Sequence, residues 1–274
     1  MVELYQSVRI SIDQALVRLL QEECFPPIVA DPLTYVLLGA GKRLRPVLLL
    51  CAAEVFGKPA ARVLRAACGV ECLHAFTLVH DDLPGLDDAD MRRGKPSCHQ
   101  AFGIGPAILT GDALFALGVQ WIAQNLQQEE TLNSGEVLAQ IGEAFGGRGI
   151  IGGQFDDIGS RERTIKEWNT LYQWKTSKLF QLALQLGGTL AGACREHLSA
   201  LVEYGLHLGL AFQMCDDLLD LESGEPSLVK QLGESQAKIR IAEETELAQR
   251  ALMPLSQRAS VFSDLAVYLQ GRSR

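Results

Sequence analysis

The stretch from His80 to Ser97 reads HDDLPGLDDADMRRGKPS. Its aspartates fall within ten residues and are Asp81, Asp82, Asp87, Asp88 and Asp90. Carboxylates placed this close repel one another unless a cation lies among them. Pro84 and Gly85 interrupt the cluster, so a helix that ends here is expected to continue as a turn. Such a turn would bring Asp87 round to share a cation with Asp81.

The segments around this stretch have helical rather than alternating periodicity. A first helix, with an apolar face made of Val8, Ile12, Leu16, Leu19 and Leu20, is predicted to end before Pro26. Further helices are predicted over residues 43–56, 60–80, 106–127, 133–149, 177–192, 196–222 and 236–252. Segment 60–80 is apolar nearly all round, which is typical of a helix surrounded by others. We find no alternating β-branched run, repeat or linker, and therefore predict an all-α bundle that forms a single domain over residues 1–274.

Composition excludes several classes of protein. The 274 residues are 47% hydrophobic and 21% charged, as in an ordinary globular chain, and the net charge of −8 argues against nucleic-acid binding. The N-terminus carries acidic residues and no apolar run, so it is not expected to be a signal peptide. The most apolar segment, 179–194, contains glutamines and glycines and predicts a buried helix rather than a membrane span. Seven cysteines without CxxC spacing suggest reduced core thiols and a cytoplasmic location.

A second acidic cluster, QMCDDLLDLE, carries Asp216, Asp217 and Asp220. Asp216 and Asp220 are four residues apart on a predicted helix, so they project from one face and destabilise a bare helix. Either cluster alone is explained as well by an exposed acidic patch or a helix cap as by a ligand site. Two clusters that each end an apolar helix favour a joint site for hard divalent cations. Mg²⁺ is typical of carboxylate ligation completed by phosphate oxygens, and no EF-hand spacing is present.

Positive charge lies beside the first cluster and near the N-terminus. Arg92 and Arg93 follow the aspartates directly, where they are placed to contact diphosphate oxygens that the metal leaves free. The sequence GAGKRLRP puts Lys42, Arg43 and Arg45 at a helix start, which predicts either an anion site or a charged loop that solvates the helix end. A nucleotide P-loop is absent. The glycine run GGRGIIGGQFDD predicts close helix packing or a kink.

Taken together, these motifs resemble those of the trans-isoprenyl diphosphate synthases, most closely the bacterial farnesyl and geranylgeranyl diphosphate synthases. The matching motifs, in the family's order, are GKRLRP, ECLHAFTLVHDDLPGLDDADMRRGKPSCH, TGDAL, GGQFDD, KTSKLF and GLAFQMCDDLLD. The resemblance implies long antiparallel helices around a deep central cavity, the isoprenoid synthase fold, usually as a homodimer. It also implies two substrates, isopentenyl diphosphate and an allylic diphosphate such as dimethylallyl or geranyl diphosphate.

The resemblance further implies a role for each matching residue. Three Mg²⁺ ions would be held by Asp81, Asp82 and Asp87 from one side and by Asp216, Asp217 and Asp220 from the other. The allylic substrate would contact Arg92, Lys175, Thr176, Gln213 and Lys230. Isopentenyl diphosphate would bind Lys42, Arg45, His74 and Arg93. Catalysis would depend most on Asp81, Asp87, Arg92, Lys175 and Asp216.

In the expected reaction, Mg²⁺ and cationic side chains stabilise the departing diphosphate and leave an allylic cation, which the isopentenyl double bond attacks. The proton goes to the released diphosphate, so no dedicated general base is required. Phe76, with Thr77 beside it, lies about one and a half turns before Asp81 on the predicted helix. It is either ordinary core packing or a floor for the growing chain. In the family a bulky residue at this position goes with farnesyl diphosphate, which we predict as the product.

The chain departs from the family after Lys230. The usual GxDxxxxKxTYP is replaced by QLGESQAKIRIAEE, in which Gly233 fits, Ser235 stands where an Asp is usual, and KxTYP is missing. Phosphate capture by that segment is therefore in doubt, and reduced activity is one expected consequence. The alternatives are a geranylgeranyl diphosphate synthase, a class I terpene cyclase and a weakly active partner subunit of another prenyl synthase. The DDLLD motif and GKRLRP argue against the cyclase.

Overall fold

The computed structural model describes residues 2–127, 133–159, 162–221 and 226–270, and these are almost entirely helical. The α-helices are α1 (Val2–Glu22), α2 (Pro27–Leu37), α3 (Leu44–Val55), α4 (Ala60–Asp81), α5 (Cys98–Phe102), α6 (Ile104–Leu126), α7 (Ser134–Phe145), α8 (Ile150–Ile158), α9 (Ile165–Tyr172), α10 (Lys178–Leu190), α11 (Arg195–Leu219), α12 (Leu228–Leu232), α13 (Glu234–Ala251) and α14 (Ser260–Gln270). A π-helical turn (Gln173–Ser177) precedes α10, and a 3₁₀ segment (Met253–Ala259) precedes α14. The predicted all-α class is confirmed.

The described strands form one short ribbon. β1 (Met91–Arg92) pairs antiparallel with β2 (Lys95–Pro96). Arg93 and Gly94 connect them with φ of 54° and 78°, which is the left-handed pair that a tight hairpin turn needs. The ribbon therefore presents Arg93 at its tip, although arginine adopts positive φ only at a cost.

The long helices agree with the sequence prediction, and the short ones were missed. α3, α4, α6, α10, α11 and α13 begin and end within a few residues of the predicted bounds. α7 ends at Phe145, earlier than predicted, because Gly146 adopts an extended conformation. α2 was not predicted: the first helix was expected to end before Pro26, whereas Pro27 begins a new helix, in whose first turn no N–H is required.

The chain divides into two compact units. The N-terminal unit contains Val2–Leu50 and Lys58–Leu132, and the C-terminal unit contains Cys51–Gly57 and Asn133–Arg274. The single domain over 1–274 stays a prediction.

The N-terminal unit is built on the crossing of α4 and α6. Gly69 and Gly118 meet there, and a Cβ on Gly69 would lie 2.7 Å from the Gly118 carbonyl oxygen. Buried Asn125 joins the same two helices, because its Oδ1 accepts from Ala66 N–H at 3.2 Å and its Nδ2 donates to the Arg62 carbonyl at 3.1 Å. The crossing therefore depends on two glycines, which let the helices approach closely, and on the hydrogen bonds of Asn125.

The C-terminal unit packs α10 and α13 against α11. Gly205 makes the approach of α10 possible, since a Cβ there would lie 2.9 Å from Gln181 Cα. Buried Tyr204 on α11 donates its hydroxyl to the Phe262 carbonyl of α14 at 2.8 Å. The glycine run predicted to pack closely does so, because a Cβ on Gly153 would lie 2.7 Å from the backbone nitrogen of Lys175.

The two most apolar long helices are α4 and α6. α4 and α6 are long and apolar enough to cross a membrane by length and composition alone, and 61% and 44% of their most apolar windows are buried inside the protein. Core helices have the same properties, so neither helix argues for a membrane. Segment 179–194 lies largely on buried α10, as predicted. Five of the seven cysteines are buried, and burial raises the pKa of the Cys68 thiol to about 12, which makes it unreactive.

His207 on α11 lies between carboxylates of two helices. Its Nδ1 is 2.6 Å from Oε2 of buried Glu244 on α13, and its Nε2 is 3.1 Å from Oε1 of Glu203. Arg240 also reaches Glu244, at 2.7 Å. The hydrogen bond with Glu244 is the largest cause that raises the pKa of His207, and burial opposes it.

We expect protonated His207 to hold α13 on α11. Because its folded pKa is raised, this stabilisation is fully present below the ordinary histidine pKa of about 6.5 and is lost as the pH rises through the folded pKa. The thermal unfolding midpoint should therefore fall over that window, and less steeply in His207→Gln. Parallel pH profiles for the two proteins would contradict this role.

Candidate active site

One side of α4 carries three residues that pair with the basic motifs. Glu71, His74 and Asp82 follow helical spacing, with Leu78 between, so they project from the same side of the helix. We call this set of four residues the α4 stripe. Its pairs are Glu71 with Arg43, His74 with Arg45, and Asp82 with Arg92.

Asp82 is 2% exposed and is chelated by Arg92. The guanidinium Nε donates to both carboxylate oxygens, at 2.9 and 3.2 Å, and Nη2 donates to Oδ1. This hydrogen bonding is the largest cause that raises the pKa of Arg92, which therefore stays charged. Asp82 thus orients Arg92 in the structure, and its role as a metal ligand stays a prediction.

The turn expected after α4 is present. The Asp87 N–H donates to the Asp81 carbonyl oxygen at 2.9 Å, and the Ala89 N–H donates to the Asp82 carbonyl at 3.2 Å. Asp88 adopts a left-handed conformation, with φ of 47°. The chain therefore folds back on the helix end and sets exposed Asp87 beside partly buried Asp81.

The GKRLRP loop separates cations that the sequence groups together. Lys42 is exposed, and its carbonyl accepts the Tyr5 hydroxyl. Arg45 lies in the first turn of α3, where its Nη1 is 3.1 Å from His74 Nε2. Arg43 is turned inward and is 4% exposed.

His74 is partly buried on the α4 stripe, and its protonation follows from its neighbours. Burial, followed by the charges of Arg45 and Arg93, lowers its pKa well below the ordinary value. Arg45 is a donor only, so the neutral ring accepts at Nε2 and carries its proton on Nδ1. Nδ1 has no hydrogen-bond partner among the residues that the structure describes. This nitrogen is also buried.

These groups line a pocket within the N-terminal unit. Ala75, Leu78 and Val79 give it an apolar side. Its charged and polar lining includes Arg43, Glu71, His74, Asp82, Arg92 and Arg93. A pocket with this excess of guanidinium groups is suited to an anion with an apolar tail.

Phe76 lies on α4 within an aromatic cluster. Its ring meets Phe115 edge to face at 5.2 Å and His80 at 4.8 Å between centroids. Thr77 donates its hydroxyl to the His74 carbonyl at 2.8 Å. Phe76 is partly buried, so packing holds the ring while part of its surface stays open.

The C-terminal unit holds the second aspartate motif in a polar network. Thr176 donates its hydroxyl to Gln213 Oε1 at 2.7 Å, and Gln213 Nε2 donates to Asp217 Oδ1 at 2.9 Å. Tyr172 donates its hydroxyl to Asp217 Oδ2 and accepts from the Leu228 N–H at 3.0 Å. Burial is the largest cause that raises the pKa of Asp217, while the two donors oppose the shift.

Lys175 lies in the π-helical turn, a local irregularity often found at functional sites. Its Nζ donates to Asp157 Oδ2 of α8 at 2.5 Å. Asp216 lies on α11. Asp220 follows the last residue of that helix, and its N–H donates to the Asp216 carbonyl at 3.1 Å. Lys230 lies on α12, whose first turn Ser227 caps.

The two aspartate motifs supply the candidate metal ligands. Within the described residues, no three His, Cys, Asp or Glu side chains stand close enough to hold a metal ion. Other side chains already bind Asp82 and Asp217. The remaining donors are carboxylate oxygens, which is the ligand set that Mg²⁺ prefers. The residues therefore fit Mg²⁺ in chemistry.

Sequence reasoning missed three residues that support these motifs. Glu71 is buried beside Arg43, Asp157 pairs with Lys175, and Tyr172 binds Asp217 across 45 residues of sequence. A glutamate inside the apolar pattern of helix 60–80 was the available signal for Glu71. The sequence offered no comparable signal for Tyr172.

Comparisons with known proteins agree with this fold. The polyprenyl synthetase family model matches residues 26–240. Farnesyl diphosphate synthase of Geobacillus stearothermophilus is 34% identical over 261 residues, 88% of each chain. Geranylgeranyl diphosphate synthase of Cyanophora paradoxa is 36% identical, over 76% of this chain and 70% of that protein. A crystal structure of an FPP/GFPP synthase from Zymomonas mobilis superposes with a TM-score of 0.90 at 29% identity, covering 98% of this chain and all of that one.

An all-α fold with two aspartate-rich motifs and basic partners defines the class of prenyl diphosphate synthases. The chain belongs to the polyprenyl synthetase family: it is a trans-isoprenyl diphosphate synthase, a transferase of prenyl groups.

Proposed function

We propose that the chain joins isopentenyl diphosphate to dimethylallyl or geranyl diphosphate and releases mainly farnesyl diphosphate. The observation that carries this proposal is the pocket beside Asp82, which is lined by His74, Arg92 and Arg93 together with apolar residues. One end of the α4 stripe carries Asp82, beside Asp81. A second anion site next to metal-binding carboxylates is what a reaction between two diphosphates requires.

The reaction begins with cleavage of the bond between C1 of the allylic chain and its diphosphate oxygen, and the electron pair leaves with the oxygen. The isopentenyl double bond then attacks the allylic cation, and the proton lost afterwards goes to the released diphosphate. We assign contacts with the allylic diphosphate to Arg92, Lys175, Thr176, Gln213 and Lys230. We assign isopentenyl diphosphate to Lys42, Arg45, His74 and Arg93. Arginine donors are suited to this task because their geometry matches phosphate oxygens.

We propose Mg²⁺ as the metal of both aspartate motifs. The ligands would be Asp81, Asp82 and Asp87 in the N-terminal unit and Asp216, Asp217 and Asp220 in the C-terminal unit. Bound Mg²⁺ would neutralise diphosphate charge as the C–O bond breaks. The number of three ions stays a prediction.

The test is incubation with radiolabelled isopentenyl diphosphate and each allylic primer, followed by chromatography of the products. Labelled farnesyl diphosphate is the expected product. Geranylgeranyl diphosphate would overturn the chain length, unlabelled cyclic hydrocarbons would indicate a cyclase, and no product from any primer would indicate a partner subunit.

Lys42→Ala and Arg45→Ala are expected to raise the KM for isopentenyl diphosphate more than the KM for the allylic primer. Each removes a cation from the GKRLRP loop and leaves the aspartates unchanged, and loss of one bond to a charged group corresponds to about tenfold or more. Steady-state kinetics with each substrate varied in turn measures the difference. Lys58→Ala, which removes a lysine between α3 and α4, is the control. Equal effects on both KM values would argue against a separate second site.

Phe76→Ala is expected to shift the product towards geranylgeranyl diphosphate or longer. Removing the ring opens space beside Phe115 one and a half turns below Asp81, and a longer hydrocarbon tail could then be accommodated. Phe56→Ala is the matched control, because Phe56 stacks on His197 in the C-terminal unit. If the wild type and Phe76→Ala release the same chain length, the floor lies elsewhere.

We also propose a homodimer in the cytoplasm. In support of the dimer, α6 exposes Ile104, Ile108 and Leu109, with 51%, 42% and 68% of their surfaces open. A row of large exposed apolar residues commonly marks a protein interface. Sedimentation equilibrium measures the oligomeric state.

A further inference from the structure

Arg43 is held by the protein rather than offered to a ligand. Its Nε donates to Asp13 of α1 at 2.8 Å, and its Nη1 donates to Glu71 of α4 at 2.7 Å. Its Nη2 donates to the carbonyls of Leu37 and Gly39, at 2.7 and 2.9 Å. One guanidinium therefore joins α1, α4 and the end of α2 to the GKRLRP loop.

The backbone of Arg43 shows that this arrangement is imposed. Its φ is 51°, a left-handed conformation that is costly for a residue with a side chain. Such a conformation persists only when surrounding contacts favour it, and the four hydrogen bonds of the guanidinium supply those contacts. The inward turn of Arg43 lets its neighbours Lys42 and Arg45 take other directions: Lys42 is exposed, and Arg45 lies against His74.

Glu71 supplies a negative charge beside the buried Arg43 guanidinium. Its side chain is 3% exposed, and Oε1 accepts from Arg43. Oε2 has no hydrogen-bond partner among the described residues. Gly41 shows why one carboxylate matters here: a Cβ at that position would lie 2.9 Å from Arg43 Nη1 and 2.8 Å from Arg93 Nη1. Two guanidinium groups thus converge on one glycine, and Glu71 offsets their repulsion.

We propose that Arg43 and Glu71 are a positioning pair that holds the GKRLRP loop, with Arg93 beside it, in the conformation that binds isopentenyl diphosphate. The pair acts through the loop, because the Arg43 guanidinium is bound by Asp13, Glu71 and two backbone carbonyls. This inference rests on the proposed function, because it assumes that Lys42, Arg45 and Arg93 are the ligands of that diphosphate.

Arg43→Lys is the first variant. Lysine keeps the charge but replaces a planar fork by a single ammonium, so it cannot serve α1, α4 and α2 at once. The probe is isopentenyl diphosphate alone, titrated calorimetrically into metal-free protein, with the KM of each substrate and kcat measured on the Mg²⁺-loaded enzyme. We expect the Kd and the KM for isopentenyl diphosphate to rise about 10- to 100-fold, the equivalent of one charge-assisted hydrogen bond. The KM of the primer, and kcat at saturation, should stay within about twofold.

A double variant distinguishes loss of the positioning pair from misfolding caused by an unpaired buried charge. Removing one partner of a buried pair leaves an uncompensated charge, whereas Arg43→Met combined with Glu71→Met leaves none. The double variant should keep the far-ultraviolet circular dichroism of the wild type and lose isopentenyl diphosphate affinity at least as strongly as Arg43→Lys. Arg65→Lys is the matched control, because Arg65 also pairs with a glutamate, Glu22, but outside the loop. Its affinity should equal that of the wild type.

Failure of the positioning role and failure of the proposed function give different results. If the wild type fails to bind isopentenyl diphosphate, the proposed function is overturned and the positioning role with it. If the wild type binds and both Arg43 variants bind equally well, only the positioning pair is overturned. A parallel loss of primer affinity and kcat also overturns the pair, because it would show a general structural role.

Discussion

Replacing Asp81 or Asp216 by alanine is expected to lower kcat by about a thousandfold, the scale of losing a main electrostatic group at a reacting centre. Each change removes a proposed Mg²⁺ ligand at a helix end and no large packing group. Asp81 is partly buried at the end of α4, and Asp216 lies half-buried near the end of α11. The helical circular dichroism should therefore match that of the wild type while turnover is lost.

Asp88→Asn is the control for this pair. Asp88 lies on the same turn but has no assigned ligand role, and asparagine tolerates its left-handed φ of 47°. The measurement is kcat as a function of Mg²⁺ concentration for the three variants. Near-normal rates at saturating Mg²⁺ in both alanine variants would refute the metal assignment.

Gly69→Leu or Gly118→Leu is expected to destabilise the N-terminal unit by about 3 kcal/mol, at the upper end for overpacking. A Cβ on Gly118 would lie 2.8 Å from the Gly69 carbonyl oxygen and 2.8 Å from Leu73 Cγ. The obstruction includes helix backbone on both sides, so no side-chain rotation relieves it. The helices would have to separate along the crossing.

Gly142→Leu on α7 is the matched control, because no other atom outside its own helix backbone lies within 4 Å of a Cβ there. Urea denaturation followed by circular dichroism gives the free energy of unfolding for each variant. The control should be as stable as the wild type or slightly more so, since glycine weakens a helix. A Gly69→Leu variant as stable as the control would show that α4 and α6 do not cross so closely.

Much of the fold could be predicted from sequence because its helices are long. A 3.6-residue pattern sustained over α4, α6 or α11 is distinctive, and tertiary contacts do not alter it. α5 and α12 have five residues each, too few for a period to be read. Whether these segments become helical depends on tertiary contacts, which cannot be read from the local sequence.

The candidate site was predicted as a set of residues but not as a set of pairs. Lys42 and Arg43 are adjacent cations, and nothing in the motif distinguishes the exposed one from the buried one. The distinction comes from a left-handed backbone and from Glu71, which lies 28 residues further along the chain. Asp82 is another case, because its burial against Arg92 depends on how the ribbon of β1 and β2 folds back.

The pairs of the α4 stripe depend on the number of residues between them as well as on which residues they are. Inserting one residue between Glu71 and Asp82 would rotate everything beyond it by about 100° around the helix axis. Asp82 would leave the side that meets Arg92, while Glu71 would stay with Arg43. Lineages that descend from this protein are therefore expected to accumulate substitutions along α4 but no insertions or deletions within it.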